Sequence, residues 1–213
     1  MPNDHLILDL DGTLSDPSVG ILRSINYALT NFGYPAVSES AISRYIGPPI
    51  DVTFRALTQS SSDAHVLALV AKFRERYRDI GYAENALYPG IVDALDLLVE
   101  RGARLGLCTS KHVDIAEKVV AMFGLRQHFA FVSGGDVGVS KTAQLSGILA
   151  EGLAGPGSMM IGDRAFDVVA GKANSLRSIG VLWGHGSESE LVDAGADRVL
   201  SQPAELGELA GAL

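Results

Sequence analysis

The hydrophobic pattern of the chain changes character along its length. Between residues 15 and 88 the apolar residues recur at helical spacing, and no strand is expected between residues 16 and 87. From residue 91 onward, short apolar runs of strand length alternate with helical segments. Strands that alternate with helices indicate a parallel sheet covered on both faces. We therefore predict an α/β protein with a block of helices inserted near its start.

The inserted region is predicted to be helical from its apolar spacing and its helix-end residues. Ser15-Asp16-Pro17 is a helix start, because Ser or Asp can cap a helix and Pro suits its first turn. The apolar stripe of this helix ends near Gly33. Further helices are predicted over residues 41–45, 50–57 and 63–80, with a loop at 47–49.

The α/β region is predicted to start with the apolar run at residues 5–8 and to resume after the helices. Its later strands are predicted over residues 104–108, 129–132, 159–161, 178–182 and 198–200. Its helices are predicted over residues 91–100, 112–122, 142–151, 166–174 and 188–194, and after residue 203. The first strand is expected in the middle of the sheet. The predicted domains are an α/β core of residues 1–14 and 89–213 and a helical cap of residues 15–88.

The composition is that of an ordinary globular protein and excludes several classes. The 213 residues, 47% of them hydrophobic, can bury a full core. The net charge of −8 argues against a nonspecific nucleic-acid binder. The single cysteine, Cys108, excludes an internal disulfide, fits a reducing compartment and is predicted to be a core residue rather than a nucleophile. No apolar segment reaches the ~20 residues of a membrane span, so we expect a cytoplasmic protein.

Two carboxylates follow the first predicted strand. Asp9 and Asp11 are two residues apart, so their side chains point to the same side of an extended chain. Charges out of water are strongly penalised unless they meet a counter-charge, which makes a cation their natural partner. Gly12 then permits a tight exit turn from the strand. The pattern predicts that the two carboxylates converge on a metal ion.

Three further polar signals lie at the ends of predicted strands or the starts of predicted helices. Thr109-Ser110 ends an apolar run, and Lys141 opens a helix whose N-terminal partial positive charge adds to its ammonium. Asp163 ends a buried strand, and Asp167 follows at the start of a helix. Each also has an ordinary structural interpretation, because hydroxyl and acidic residues cap helices and turns, and most lysines lie on the surface. Ligands collect at the carboxyl ends of parallel strands, which places all three signals at one edge.

Together these residues resemble the motifs of the haloacid-dehalogenase-like (HAD) hydrolase superfamily. The resemblance rests on Asp9-Leu10-Asp11-Gly12-Thr13, Thr109-Ser110, Lys141 and Gly162-Asp163 with Asp167, which occur in the family's order. The helical insert and the tail at residues 178–187 and 194–197 are similar to the phosphoglycolate-phosphatase-like branch. The family often has Pro after the motif lysine, where this chain has Thr142, and Lys111 is the one nearby lysine that competes with Lys141 for this role. The resemblance implies a Rossmann-like, doubly wound parallel sheet with an inserted all-helical cap.

The resemblance also implies roles for the four aspartates. Asp9 is the nucleophile that accepts the phosphoryl group. Asp11 protonates the leaving oxygen and then takes a proton from water. Mg²⁺ is the implied cofactor, held by Asp9, the backbone carbonyl of Asp11 and Asp163, with Asp167 supporting the metal shell.

Substrate contacts are expected from both regions. By the resemblance, Thr109, the Ser110 backbone N–H and Lys141 bind the phosphate, and Thr109 and Lys141 assist catalysis by balancing its charge. In the cap, a loop with two prolines follows Arg44, which makes Arg44 and Gly47 candidates to contact the substrate. A stiff interhelical turn is the alternative interpretation of this loop.

The implied function is that of a Mg²⁺-dependent phosphatase, a monomer or homodimer acting on a small phosphorylated metabolite. Phosphoglycolate, nucleoside 5′-monophosphates and pyrophosphate are substrates within this branch. The alternatives are a phosphomutase acting on a sugar phosphate and a non-catalytic phosphometabolite-binding protein. A haloacid dehalogenase of the same fold is disfavoured, because it needs no metal and lacks the second aspartate, here Asp11.

Overall fold

A computed structural model describes residues 3–212 of the chain. Its strands are β1 (Leu6–Leu8), β2 (Ser15–Asp16), β3 (Ala86–Leu87), β4 (Leu105–Thr109), β5 (Phe129–Gly134), β6 (Met159–Gly162), β7 (Arg177–Val181) and β8 (Arg198–Leu200). Its α-helices are α1 (Ser18–Asn31), α2 (Ile50–Thr58), α3 (Asp63–Asp79), α4 (Ile91–Glu100), α5 (Val113–Met122), α6 (Lys141–Ala150), α7 (Ala165–Ala173) and α8 (Glu188–Asp193). Short 3₁₀ helices cover Glu39–Tyr45, Gly81–Ala83, Arg126–His128 and Pro203–Ala212.

Six strands form one parallel sheet in the order β5-β4-β1-β6-β7-β8. β1 lies inside the sheet, with Ile7 opposite Gly106 of β4 on one side and Met160 of β6 on the other. All three residues of β1 are buried and apolar, as expected for a parallel strand covered on both faces. The predicted Rossmann-like α/β fold, with the first strand in its middle, is confirmed.

The strand order reverses at β1. From β1 the chain adds β4 and β5 on one side, and then returns to add β6, β7 and β8 on the other side. At such a reversal the helices that follow neighbouring strands pass to opposite faces, which opens a crevice beyond the carboxyl ends of the strands. The ends of β1, β4 and β6 are therefore the place where a ligand site is expected.

A second, two-stranded sheet joins the two ends of the helical insert. β2 and β3 pair antiparallel, with Ser15 opposite Leu87 and Asp16 opposite Ala86. The expectation that no strand occurs between residues 16 and 87 is therefore wrong at both ends, at Asp16 in β2 and at Ala86 and Leu87 in β3. Two residues are too few to show the alternation by which a strand is recognised in sequence. This strand is defined by its distant partner.

Helices α1 and α2 both pack on α3. Phe54 of α2 is fully buried, and its ring makes an edge contact with Phe73 of α3 at a centroid distance of 6.2 Å. Phe73 in turn stacks on Tyr77 at 5.0 Å. α3 thus carries a row of packed rings along one face. The assignment of these helices to a separate cap domain stays a prediction.

Two predicted helices, at residues 41–45 and after residue 203, are 3₁₀ helices in the structure. In the second, Gly207 and Gly211 lower the propensity for a regular α-helix. A Cβ at Gly207 would lie 2.7 Å from the Leu97 side chain, so this segment packs closely on α4. No helix within residues 3–212 is long and apolar enough to cross a membrane.

Candidate active site

Three buried carboxylates meet at the carboxyl edge of the sheet. Asp9 directly follows β1, Asp163 directly follows β6, and Asp167 lies in the first turn of α7. One carboxylate oxygen from each lies within 4.8 Å of the other two, and none of the three residues is more than 2% exposed. β1 and β6 are neighbouring parallel strands, so the residues that follow them reach the same part of the edge. We call these three residues the acidic cluster.

A buried lysine lies against the acidic cluster. Lys141 opens α6, whose N-terminus is capped by the side chain of Ser140. The Lys141 Nζ lies 3.0 Å from Asp9 Oδ1 and donates a hydrogen bond to Asp167 Oδ1. Burial by itself lowers the pKa of a lysine, but the carboxylates of Asp167 and Asp9 outweigh it and raise the pKa of Lys141. The ammonium is therefore charged and balances one of the three carboxylates.

The remaining negative charge of the acidic cluster fits a divalent cation. Asp163 Oδ1 is buried and has no hydrogen-bond partner. Burial, followed by repulsion from Asp167 and Asp9, raises the pKa of Asp163 well above its usual value, and burial raises the pKa of Asp167 to about 6. A cation would relieve both effects. Carboxylate oxygens are the ligands that Mg²⁺ prefers, so the residues present suit this ion.

Two glycines let the chain pass close to Asp163. Gly12 has a φ of 87°, and a Cβ at this position would lie 2.2 Å from Asp163 Oδ2. A Cβ at Gly184 would lie 2.2 Å from the carbonyl oxygen of Gly12. The next residue, His185, donates its backbone N–H to Asp163 Oδ2 over 2.8 Å. The hydrogen bond from His185 fixes one oxygen of Asp163, and the close approach of the chain at Gly12 and Gly184 requires residues without a side chain.

Asp11 lies outside the acidic cluster and forms an ion pair with Lys111. Lys111 Nζ lies 2.8 Å from Asp11 Oδ2 and 2.6 Å from the hydroxyl oxygen of Tyr77 in α3. All three side chains are nearly buried. Burial raises the pKa of Asp11, although the Lys111 ammonium opposes the shift. Proton transfer by the Asp11 carboxyl and metal binding by its backbone carbonyl both stay predictions.

Thr109 and Ser110 line the same cavity as Asp9 and Asp11. Thr109 is the last residue of β4 and is 1% exposed. Its Oγ1 accepts a hydrogen bond of 3.3 Å from the backbone N–H of Lys111, which leaves the hydroxyl hydrogen to donate elsewhere. The structure therefore brings both residues to the predicted edge of the sheet, and phosphate binding by them stays a prediction.

The loop after the first 3₁₀ helix reaches the cavity through Gly47 but not through Arg44. Gly47, Pro48 and Pro49 line the cavity. Arg44 is exposed and lies outside the lining, which includes its neighbour Tyr45 instead. Successive side chains of a 3₁₀ helix point about 120° apart, so only one of two adjacent residues faces a given side. The sequence pattern does not reveal which one.

Arg164, which sequence reasoning missed, ties the acidic cluster to this loop. It follows Asp163 directly, and its guanidinium donates hydrogen bonds to the carbonyl oxygens of Ile46 and, at 3.3 Å, Ser43. Its Nε donates to Glu190 Oε1 over 2.8 Å. The helical insert is thereby held at the residue that directly follows Asp163.

Cys108 is buried within β4 and does not belong to the reactive groups of the site. It is 0% exposed, and burial raises the pKa of its thiol to about 12. At about pH 8 its thiolate fraction is then roughly a thousandfold below that of an ordinary cysteine. We expect iodoacetamide to alkylate the native protein at least about 100-fold more slowly than the urea-unfolded protein, as followed by intact mass. Equal rates would contradict this placement of the thiol.

The family model described as Haloacid dehalogenase-like hydrolase matches residues 6–181 of the chain. The chain belongs to this hydrolase family. The hydrolase is 36% identical to the 5′-nucleotidase of Pseudomonas aeruginosa over 88% of this chain and 86% of that protein. It is 31% identical to the phosphoglycolate phosphatase of Yersinia pseudotuberculosis over 93% of this chain and 89% of that protein. A solved structure of Mycobacterium tuberculosis Protein Tyrosine Kinase A is similar with a TM-score of 0.82 and 31% identity, covering 99% of this chain and 100% of that chain.

These similarities bear on the expectations drawn from the motifs. The predicted HAD superfamily, its phosphoglycolate-phosphatase-like branch and the hydrolase class are confirmed. The roles of individual residues of the hydrolase stay predictions, because a family match does not assign a reaction step to a side chain.

Proposed function

We propose that this hydrolase is a Mg²⁺-dependent phosphatase that hydrolyses a small phosphorylated metabolite through an aspartyl-phosphate intermediate. The carrying observation is that Asp9, which lines a cavity, lies beside Lys141 and beside the buried carboxylates of Asp163 and Asp167. Uncatalysed hydrolysis of phosphate monoesters is among the slowest reactions that enzymes accelerate, so a nucleophile and charge neutralisation are both needed. The relatives named 5′-nucleotidase and phosphoglycolate phosphatase support this reaction class.

The acidic cluster is the proposed metal site. Asp9 and Asp163 are the proposed direct ligands, together with the backbone carbonyl of Asp11, and Asp167 supports the metal shell. When bound, Mg²⁺ supplies positive charge that offsets the repulsion between a carboxylate and a phosphate dianion. The unpartnered Oδ1 of Asp163 supports the assignment.

In the first proposed step, Asp9 attacks the phosphorus atom opposite the leaving oxygen. A bond forms between a carboxylate oxygen of Asp9 and phosphorus while the ester P–O bond breaks. Lys141, Thr109 and the backbone N–H of Ser110 hold the phosphate oxygens and balance their charge. Asp11 gives its proton to the leaving oxygen, so that a neutral alcohol departs.

In the second proposed step, water attacks the phosphorus atom of the aspartyl-phosphate. Asp11 takes a proton from this water, inorganic phosphate is released and the Asp9 carboxylate is regenerated. A carboxyl can serve as acid and then as base only when its pKa lies close to the working pH. The raised pKa of Asp11, caused first by burial, supports this double role.

Residues 15–88 are proposed to act as a cap that excludes water from the intermediate and selects the substrate. Two contacts support the proposal. Tyr77 of α3 hydrogen-bonds to Lys111, which also holds Asp11, and Arg164 holds the carbonyl oxygen of Ile46. Both contacts link the helical insert to residues beside the reacting groups. A cytoplasmic location and a monomeric or homodimeric state remain predictions.

A hydrolysis panel tests the proposed function. Phosphoglycolate, AMP, pyrophosphate, a sugar phosphate and 4-nitrophenyl phosphate are each incubated with Mg²⁺ or with EDTA, and phosphate release is measured. We expect Mg²⁺-dependent release from at least one monoester and background rates with EDTA. If even the activated aryl phosphate is not hydrolysed with metal present, the proposed phosphatase function is wrong.

Transfer to an acceptor other than water is the second candidate. A phosphomutase would use the same aspartyl-phosphate but return the phosphoryl group to a sugar hydroxyl. The solved relative named a protein tyrosine kinase makes transfer to a protein hydroxyl a further outcome. Radiolabelled ATP and a sugar bisphosphate, assayed beside the panel, distinguish these outcomes by the labelled product.

A further inference from the structure

Asp51 is a buried carboxylate in the wall of the cavity, and none of the proposed steps uses it. It lies in the first turn of α2, is 8% exposed and lines the same cavity as Asp9 and Asp11. Its Oδ1 is buried and has no hydrogen-bond partner. A buried acceptor without a donor is costly, and such an atom at a cavity wall is satisfied when a ligand brings the donor.

The position of Asp51 on α2 explains why its charge is tolerated. Backbone dipoles place partial positive charge at a helix N-terminus, and this stabilises a carboxylate in the first turn. This field does not supply the missing donor, because no N–H of the described chain is bonded to Oδ1. A hydroxyl or amino group of a bound molecule would supply it.

The cavity wall formed by the helical insert is otherwise rich in rings and aliphatic side chains. It includes Ile21, Tyr45, Pro48, Pro49, Ile50 and Phe73. Walls of this kind bury apolar parts of a ligand, while a few polar groups determine its orientation. Aromatic side chains pack especially well on the faces of other rings. The wall therefore suits a leaving group with a ring better than a short, charged one.

The lysine and arginines that line the cavity offer little to a second anionic group. Arg74 is paired with Asp136 at 2.9 Å, and Lys111 is held by the candidate proton donor. Arg78 lines the cavity but is exposed, so water hydrates its guanidinium. A carboxylate on the leaving group would thus face the charge of Asp51, and like charges repel strongly where water is excluded.

We propose that Asp51 determines specificity by accepting a hydrogen bond from a hydroxyl or amino group of the leaving group. The inference rests on the proposed phosphatase function and narrows its substrate class. The substrates are phosphate monoesters of uncharged, ring-bearing alcohols, namely nucleosides or sugars. Monoesters whose leaving group carries a carboxylate, such as phosphoglycolate, are rejected by repulsion from the same side chain.

The test compares kcat/KM for AMP, ribose 5-phosphate and phosphoglycolate in the wild type and in Asp51→Asn. Asn keeps the shape but removes the charge. We expect a loss of roughly 10- to 100-fold for the hydroxylated substrates, the usual effect of weakening a hydrogen bond to a charged group. The kcat/KM for phosphoglycolate should fall less or should rise. The selectivity ratio, which is kcat/KM for a hydroxylated substrate divided by kcat/KM for phosphoglycolate, should therefore fall at least about tenfold. Comparison of kcat/KM for AMP with that for ribose 5-phosphate shows whether the preferred leaving group is a nucleoside or a sugar.

Asp93→Asn is the matched control, because Asp93 lies in the first turn of another helix, α4, and is exposed. It should keep the selectivity ratio of the wild type. A wild type that prefers phosphoglycolate, or an Asp51→Asn variant whose ratio is unchanged, overturns the inference.

Two further readouts separate this inference from the proposed function. Failure of the wild type to hydrolyse 4-nitrophenyl phosphate refutes the proposed phosphatase function. Calorimetric binding of adenosine and ribose needs no turnover, and it should weaken in Asp51→Asn but not in Asp93→Asn. A circular dichroism spectrum of each variant shows whether it has folded. If Asp51→Asn does not fold, Asp51→Ser replaces it and the same ratio decides.

Discussion

Asp9→Asn is expected to remove phosphatase turnover while the protein stays folded. An amide is a poor nucleophile and cannot form the aspartyl-phosphate, so kcat should fall by roughly 10⁴-fold or more. The fold should persist because Asn has nearly the shape of Asp and because Lys141 keeps its ion pair with Asp167. Phosphate release, the thermal unfolding midpoint Tm and circular dichroism of the variant are the measurements.

Asp4 provides a matched control at the other end of the same strand. It is 6% exposed, and its Oδ1 accepts a hydrogen bond of 2.9 Å from the backbone N–H of Gly157. Asp4→Asn should lower Tm and leave phosphate release near the wild-type rate. If Asp9→Asn also kept near wild-type turnover, another group would be the nucleophile, and the proposed two-step reaction would have to be abandoned.

Asp163→Asn is expected to remove the response to Mg²⁺. The variant loses a charged ligand at the acidic cluster, so kcat/KM should fall roughly 100-fold or more, in line with the several kcal/mol that a catalytic metal contributes. A thermal-shift titration without substrate measures binding separately. Mg²⁺ should raise the Tm of the wild type by binding the folded state only, and it should leave the Tm of Asp163→Asn unchanged.

The thermal stability of metal-free Asp163→Asn provides a further check, because the direction of its change in Tm can be predicted. A carboxyl whose pKa is raised in the folded state stabilises the fold below its unfolded pKa and loses that contribution as the pH rises through its folded pKa. Burial and the neighbouring carboxylates of Asp167 and Asp9 raise the pKa of Asp163 in this way. Near neutral pH, metal-free Asp163→Asn should therefore have a higher Tm than the metal-free wild type.

Asp197 is the control, because the pKa of its carboxyl is shifted in the opposite direction. The Lys172 ammonium donates a hydrogen bond to Asp197 and, with burial opposing it, lowers the pKa of that carboxyl. Asp197→Asn should lower the Tm of the metal-free protein and leave the Mg²⁺-induced increase intact. A normal Mg²⁺ response in Asp163→Asn would exclude Asp163 from the metal site.

The contacts of Asp11 connect the candidate site to the helical insert. Lys111 lies between Asp11 and Tyr77, so the candidate proton donor and α3 share one buried cation. Movement of α3 away from the sheet would remove the tyrosine from this cation and admit water. The proton-transfer step is therefore expected to depend on the position of the helical insert as well as on the sheet.

The members of the acidic cluster and the neighbouring Lys141 could be found from the sequence because each lies beside a recognisable element boundary. Asp9 and Asp163 end apolar runs of strand length, and Asp167 and Lys141 lie at helix starts. Boundaries of this kind leave local signals in composition and spacing. Parallel strands then bring their carboxyl ends to one edge whatever their exact order.

The partners of these residues could not be found in the same way. Lys111 follows Thr109-Ser110 as an ordinary loop lysine, and Tyr77 occupies an apolar position of an amphipathic helix. Arg164 and Asp51 resemble common residues of a helix start. The one available signal was their place near a motif or a proline-rich loop. Their contacts join residues far apart in sequence, and local pattern carries no record of such a contact.

By itself, the sequence determined the alternation of strands and helices, the helical insert and the set of acidic residues at strand ends. These follow from backbone geometry and burial within a few neighbouring residues. Only the tertiary structure decided the register between neighbouring strands, the pairing of Asp11 with Lys111, and the choice of Tyr45 over Arg44 to line the cavity. Those features depend on how whole elements pack, because packing selects which distant side chains share a buried space.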